Sequence, residues 1–143
     1  MRVEEMLSPK GLDVITIQPD QSLKEAVVLL VQHDIGALAV VDADGKLVGM
    51  ISERDIMREV ARHGGSIRAA VGDVMTKHVV TASLQDDLKA VIATMSRLHF
   101  RHMPVLAEGK LAGILSIRDV VKAQLDEYEN QLAKLRAQGD PAG

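Results

Sequence analysis

Apolar residues along this chain alternate between two periods, and they do so twice in the same order. Residues 14–17 form a short β-rich run closed by Pro19 and Asp20. Leu23, Ala26, Val27, Leu30 and Val31 then recur at i, i+3, i+4, i+7 and i+8, the spacing of one buried helix face. Ser22 in front of that helix, with Glu25 three residues on, predicts a capping box. His33-Asp34-Ile35-Gly36 interrupts the period. Ala37-Leu38-Ala39-Val40-Val41 is apolar throughout and predicts a strand covered on both faces. Residues 42–45 are turn formers, and residues 46–51 predict the returning strand of a hairpin. Ser52 then predicts the cap of a helix reaching about His63. The unit reads β-α-β-β-α.

After His63-Gly64-Gly65-Ser66 the pattern starts again. Residues 79–81 predict a first strand, Asp87 a helix cap, and Leu88, Val91, Ile92 and Met95 the buried face behind it. Residues 103–106 and 110–115 predict a second hairpin, and Ser116 the start of the last helix. The echo extends to single residues. Gly49-Met50-Ile51-Ser52-Glu53-Arg54-Asp55-Ile56 returns 64 residues later as Gly113-Ile114-Leu115-Ser116-Ile117-Arg118-Asp119-Val120. Thr16-Ile17-Gln18-Pro19-Asp20-Gln21-Ser22-Leu23-Lys24 returns 65 residues later as Thr81-Ala82-Ser83-Leu84-Gln85-Asp86-Asp87-Leu88-Lys89. The one-residue difference falls in the hairpin tip, where insertions are tolerated.

The last helix outruns its counterpart. Val121, Leu125, Tyr128, Leu132 and Leu135 are spaced 4, 3, 4 and 3, a heptad seam about two heptads long. A tail packed on its own domain is one outcome. The seam continues beyond the repeated unit, however, and Leu132 and Leu135 would then be exposed, so a homodimer contact is expected. Residues 140–143 are expected to be disordered.

Composition narrows the class. The chain has 143 residues, of which 47% are hydrophobic, enough for one globular unit. Each repeat alone is near the size at which a single core is marginal, so the two copies are expected to share one. The organisation expected is a first repeat over 1–63, a linker over 64–70, a second repeat over 71–122, and a C-terminal helix and tail over 123–143. With no cysteine, disulfides, thiolate-ligated metal and thiol nucleophiles are excluded. The N-terminal residues are too acidic for a secretory signal, and no apolar run approaches the ~20 residues that cross a bilayer. A cytoplasmic protein with no membrane partner is expected. A net charge of −3, with one Phe, one Tyr and no Trp, argues against nucleic acid as a partner.

The residues that repeat also carry a resemblance. Ile35-Gly36-Ala37-Leu38-Ala39-Val40-Val41-Asp42, the two Gly-x-x-Ser-x-Arg-Asp signatures, Val74-Met75-Thr76 and Arg101-His102-Met103-Pro104-Val105 together resemble the cystathionine-β-synthase (CBS) domain. The chain is similar to a standalone tandem pair, over residues 3–122. The resemblance implies an α/β (α+β) fold of two βαββα repeats packed sheet to sheet with pseudo-twofold symmetry, here followed by an extended C-terminal helix. It implies two clefts that bind adenosyl compounds such as AMP, ADP, ATP, NAD or S-adenosylmethionine. It further implies a regulatory role; with no effector domain in these residues, any regulated protein is expected to be acted on in trans.

The chemistry of such a ligand fits the repeated residues. A carboxylate can accept from both ribose hydroxyls, each such bond contributing about 1.5–3 kcal/mol. The resemblance gives that role to Asp55 and Asp119. Ser52 and Ser116 stand at helix N-termini, where free amides and the dipole favour phosphate. Ser-x-x-Asp is also a helix cap, and the two roles are compatible. Arg101-His102 replaces Gly36-Ala37 of the first copy, and cations entering a strand suit phosphate. By resemblance, the Asp119 cleft draws on Ser116, Arg101 and His102, with Val14, Ile35 and Gly36 at the base, and is expected to be the stronger; the ligand tails converge centrally, so Arg101 or His102 can serve either cleft. The Asp55 cleft draws on Ser52, with Val79 and Phe100 around the base. Arg54 and Arg118 recur and either bind phosphate or pair with a carboxylate. His99 and His102 are three apart, which on a strand points them to opposite faces, so no metal site is expected. No recognisable catalytic motif is present, and the chain is not expected to be an enzyme. Two alternatives remain: a homodimeric scaffold with vestigial clefts, or a nucleotide hydrolase in which a carboxylate such as Glu53 directs water.

Overall fold

Two three-stranded sheets of identical order frame the molecule in the computed structural model, which describes residues 1–7, 14–64 and 66–139. Gly65, the second residue of the expected linker, and residues 140–143, the expected disordered tail, lie outside the described residues. In the first sheet β1 (Thr16–Ile17) runs parallel to β2 (Ala37–Val41), and β2 pairs antiparallel with β3 (Leu47–Ser52). In the second, β4 (Ala82–Ser83), β5 (His102–Ala107) and β6 (Lys110–Ser116) repeat those relations. Even the irregularities repeat. The register slips between Val40 and Val41 and again between Val105 and Leu106. The tips differ as the sequence indicates. In the shorter one Glu108 and Gly109 take φ of 52° and 77°, the two left-handed residues of a tight hairpin.

Local chemistry sets the helix ends. Before α2 (Leu23–His33), the Ser22 N–H donates to Glu25 Oε2 at 2.9 Å, and the Glu25 N–H donates to Ser22 Oγ at 3.2 Å. Asp34 ends that helix in the left-handed conformation, with φ of 50°. Asp87 accepts from the Lys89 N–H at 2.8 Å in front of α5 (Leu88–Leu98), and His99 closes it with φ of 59°. α3 (Glu53–Arg62) and α6 (Ile117–Gly139) follow β3 and β6 directly.

β2 is buried at every position, as an unbroken apolar run requires. Leu38 and Val40 pack with Leu23, Ala26, Leu30 and Ile56 in the first core. Ala37, Ala39 and Met50 pack with Leu111 and Ile114 of the other sheet, so the two repeats meet sheet to sheet. Leu88, Val91, Met95, Met103 and Leu115 fill the second core. Burying each large side chain contributes about 1.5–3 kcal/mol.

Two short helices cross between the halves. α1 (Val3–Leu7) precedes the first repeat, yet Val3 is buried in the second core. The Val3 N–H donates to the Asp86 carbonyl and the Glu4 N–H to the Leu84 carbonyl, both at 2.9 Å. α4 (Val71–Val74) precedes the second repeat, yet Val71 is buried in the first core and its N–H donates to the Gln21 carbonyl at 2.8 Å. The last residue of α1 and the segment leaving α4 pass over the signature glycines. A Cβ on Gly49 would stand 2.6 Å from Met75 Sδ and 2.8 Å from the Thr76 carbonyl; one on Gly113 would stand 3.0 Å from Leu7 Cδ2. The glycine three residues before each signature serine therefore has a packing cause.

Three expectations are corrected. The repeats do not share one core: each has its own, and the small cluster of Ala37, Ala39 and Met50 joins them at the sheet junction. Residues 79–81 are not a strand; the strand is Ala82–Ser83. Thr76 is tied to Met50 of the other half, and Val79 turns toward the sheet junction, which postpones pairing with β5. Val31 is 76% exposed, because it lies about 80° around α2 from Leu23, at the margin of the buried stripe. The α6 seam leaves the body: Val120 and Gln124 are buried, while Leu125, Leu132 and Leu135 are 55%, 51% and 64% exposed.

Candidate functional site

The beginning of each signature helix is tied to the strand beside it. The Glu53 N–H donates to the Gly36 carbonyl at 3.0 Å, and the Ile117 N–H donates to the Arg101 carbonyl at 2.8 Å. These contacts bring Ser52 and Asp55 next to Gly36, and Ser116 and Asp119 next to Arg101 and His102.

The two Ser-x-x-Asp pairs are not equivalent. Asp55 Oδ2 accepts from the Ser52 N–H at 2.9 Å and from the Ser52 hydroxyl at 3.0 Å, while the Asp55 N–H donates to Ser52 Oγ at 3.2 Å. That is a closed capping box, and it commits one carboxylate oxygen. Asp55 Oδ1 has no partner among the described residues. At the second copy only the Asp119 N–H to Ser116 Oγ bond forms, at 3.1 Å, and the Asp119 carboxylate is exposed. The cap reading thus holds at both sites, and at Asp55 it leaves an oxygen to spare.

A cavity of about 220 Å³ opens beside Asp55 at the junction of the repeats. Ala37, Met50, Val79, Val80 and Phe100 form an apolar wall. Ser52, Glu53, Arg54, Asp55 and Arg58 reach it from the end of β3 and from α3. Arg101 and His102 face them from the second repeat, with Thr76, His78 and His99 around the remaining rim. Gly36 completes the lining. A side chain at Gly36 would crowd the imidazole, since its Cβ would stand 3.2 Å from His102 Cε1 and Nε2 and the ring would have to give by a few tenths of an ångström. The bare backbone there makes room for the imidazole.

His102 is half-buried, and burial holds its pKa below the usual imidazole value. Glu53 opposes that shift, Arg101 reinforces it, and Asp119 opposes it. The imidazole is therefore neutral at pH 7, set among two carboxylates and a guanidinium.

Of the residues singled out from sequence, Gly36, Ser52, Arg54, Asp55, Val79, Phe100, Arg101 and His102 gather around this cavity. Val14, Ile35, Ser116, Arg118 and Asp119 are not in its lining, although Asp119 is close enough for its charge to act on His102. Arg58, His78 and His99 also line it. Arg58 had a signal, lying one helical turn beyond Arg54 at i, i+4. His78 had none. Spacing alone sets His99 and His102 on opposite faces of a strand; His99 instead ends α5 in the left-handed conformation, and both line this cavity. Among the described residues no group of three or more His, Asp or Glu could hold a metal ion, and no helix is long and apolar enough to cross a membrane.

Comparison with known proteins agrees with this geometry. The model of the CBS domain matches residues 3–62 and 71–126. A mitochondrial CBS domain-containing protein of Arabidopsis thaliana, CBSX3, is 33% identical over 123 residues, covering 82% of this chain and 60% of that protein. The crystal structure of a CBS-domain protein from Agrobacterium tumefaciens superposes with a TM-score of 0.83 at 43% identity, covering 87% of this chain and 99% of that one. The CBS domain pair of protein MJ0100, solved with 5′-methylthioadenosine and S-adenosyl-L-methionine, superposes with a TM-score of 0.79 at 28% identity, over 89% and 98% of the two chains. A CBS domain protein from Pyrobaculum aerophilum complexed with AMP gives 0.75 at 25% identity, over 83% and 89%. Two matched repeats, two sheets of the same order and a cleft at their junction lead to one conclusion: the chain belongs to the CBS-domain family, as a tandem pair of CBS repeats.

Proposed function

We propose that this chain is a regulatory sensor that binds an adenosine-containing nucleotide in the cleft beside Asp55 and acts on a partner protein in trans, in the cytoplasm. The observation that carries the reading is Asp55 Oδ1, without a partner among the described residues and held at the rim of a cavity with an apolar wall and cations in its lining. Base, ribose and phosphate need those three surfaces. Val79 and Phe100 offer the base an apolar wall and the only phenylalanine of the chain. Asp55 accepts from the ribose hydroxyls. The start of α3, with Arg54 and Arg101, receives phosphate. The cavity is smaller than the ~300–1,000 Å³ typical of enclosed ligand sites, so base and ribose enter and the phosphates stay at the mouth. Related pairs solved with AMP, or with methylthioadenosine and S-adenosylmethionine, support an adenosyl ligand. The Asp119 cleft expected from sequence to be the stronger, with Ser116, Arg118, Val14 and Ile35, we instead rank second, because its serine–aspartate pair is open and exposed and none of these residues lines the cavity beside Asp55.

Calorimetric titration tests this. Asp55→Asn keeps an acceptor for the Ser52 amide but loses the charge, and AMP affinity is expected to fall about tenfold or more. Asp119→Asn is expected to change it less. Equal loss in both variants would reverse the ranking. A melting curve gives an independent readout, since a ligand at 100 times its dissociation constant adds about 2.7 kcal/mol of stability. If no adenosyl compound shifts the curve, the chain is a scaffold. If ATP or NAD is consumed by the pure protein, it is a hydrolase and Glu53 is the first residue to replace. We further propose that the exposed α6 seam joins two copies in a homodimer.

A further inference from the structure

The cleft beside Asp55 carries a charge opposite to that of the chain. The protein as a whole has a net charge of −3. Yet three arginines and three histidines face this cavity against two carboxylates, Glu53 and Asp55. One of those carboxylates already has an oxygen engaged by Ser52. The arginines come from both walls. Arg54 and Arg58 lie one turn apart on α3, and Arg101 approaches from the loop before β5. All three are exposed, and none has a carboxylate within 4.0 Å among the described residues. Guanidinium groups converging on one opening without partners of their own are arranged for a multiply charged anion.

Resting on the adenosyl reading above, we propose that this cleft selects its ligand by negative charge, taking adenosine that carries two or more phosphates in preference to AMP, and disfavouring neutral nucleosides and the sulfonium of S-adenosylmethionine. One phosphate at the start of α3 is within the domain of Ser52, Arg54 and Arg101. A second extends toward Arg58, one turn farther along the helix. A sulfonium in the same position meets three guanidinium groups against two carboxylates, one of them already engaged by Ser52.

His102 adds a proton to the selection. The neutral imidazole lies among Glu53 from α3, Asp119 from α6 and Arg101 beside it, with His78 and His99 on the rim and the uncharged backbone of Gly36 against its ring. A phosphate entering this set favours the imidazolium, and binding then takes up a proton. Affinity for a phosphorylated ligand rises as pH falls from about 8 to about 6, and affinity for adenosine does not follow it.

The test is calorimetric titration of the full chain with adenosine, AMP, ADP and S-adenosylmethionine, at low and high salt. Affinity is expected to rise from adenosine to AMP to ADP, by about fivefold or more at each step. The gain of ADP over AMP is expected to shrink with salt, because the arginines are exposed. Arg58→Ala, an exposed position whose replacement leaves the core intact, narrows the gap between ADP and AMP. Repeating the ADP titration in buffers of different ionisation enthalpy reports the proton taken up. Equal affinities for AMP and ADP, or tighter binding of S-adenosylmethionine, overturn the charge selection and leave the adenosyl reading standing. Failure of all four to bind overturns that reading and the selection with it.

Discussion

At the scale of single residues, the signature Gly-x-x-Ser-x-Arg-Asp performs two tasks that a sequence cannot separate. Its Ser and Asp cap a helix, and at Asp55 they leave one oxygen available. Its glycine admits a passing chain segment. At Gly49 the neighbour is the Thr76 backbone, which cannot move aside; at Gly113 it is the end of the Leu7 side chain, which can. Gly49→Ala is therefore expected to cost about 1–3 kcal/mol in urea unfolding, and Gly113→Ala clearly less. Equal costs would remove the distinction. His102 gives a pH dependence with a definite sign. Its folded pKa is depressed, so the unfolded chain binds the proton more readily below about 6.5. Stability is full above that pH and is lost as pH falls toward the folded pKa. His102→Asn is expected to flatten this slope, and an unchanged slope would assign it to other groups. The pairing of Arg101-His102 with Gly36-Ala37 across the repeats was legible in the sequence. What was not legible is that the His102 ring lies against Gly36, because the 65-residue offset that relates the two pairs says nothing about distance.

At the scale of elements, legibility followed the source of each element's stability. Capping boxes, hairpins and the two sheet-forming apolar runs are local, and Ser22–Glu25, the shorter tip and β2 are as the residue order implies. β4 was displaced by a few residues because its partner strand, and not its own propensity, decides where pairing begins. α1 and α4 have five and four residues, too few to signal which core they enter. Docking alone fixes them. Val3→Ala is accordingly expected to destabilise by about 1–3 kcal/mol and to raise hydrogen exchange in α5 and β6, the elements it packs on in space, more than in β1 and α2, which it precedes in the chain. The reverse pattern would refute the exchange of helices. For α6, Leu132→Glu with Leu135→Glu alters only exposed positions, so folding is expected to persist while sedimentation shifts from dimer toward monomer. An unchanged mass would free the seam from the role given to it.

At the scale of the whole molecule, the two halves share one strand order, but the proposed ligand chemistry draws on where they differ. The first half contributes Gly36 and the closed Ser52–Asp55 pair; the second contributes Arg101, His102 and Phe100. The cleft is composite, and neither repeat alone holds its three surfaces. Ligand-induced stabilisation is thus expected to act on both cores at once. Exchange measured with and without saturating ADP is expected to slow in α2 and α5 alike. Protection confined to one half would indicate a site built from that half only.

The crossed helices bear on how such a molecule can signal. Each half carries a piece of chain that completes the other, so prying the sheets apart would strip Val3 from one interior and Val71 from the opposite one in the same motion. Two hooks engaged in contrary directions cannot be released one at a time. If the proposed nucleotide binds at this junction, its effect is expected to leave as a change in rigidity, or as a small tilt of α3 and α6, and not as a separation of the two halves.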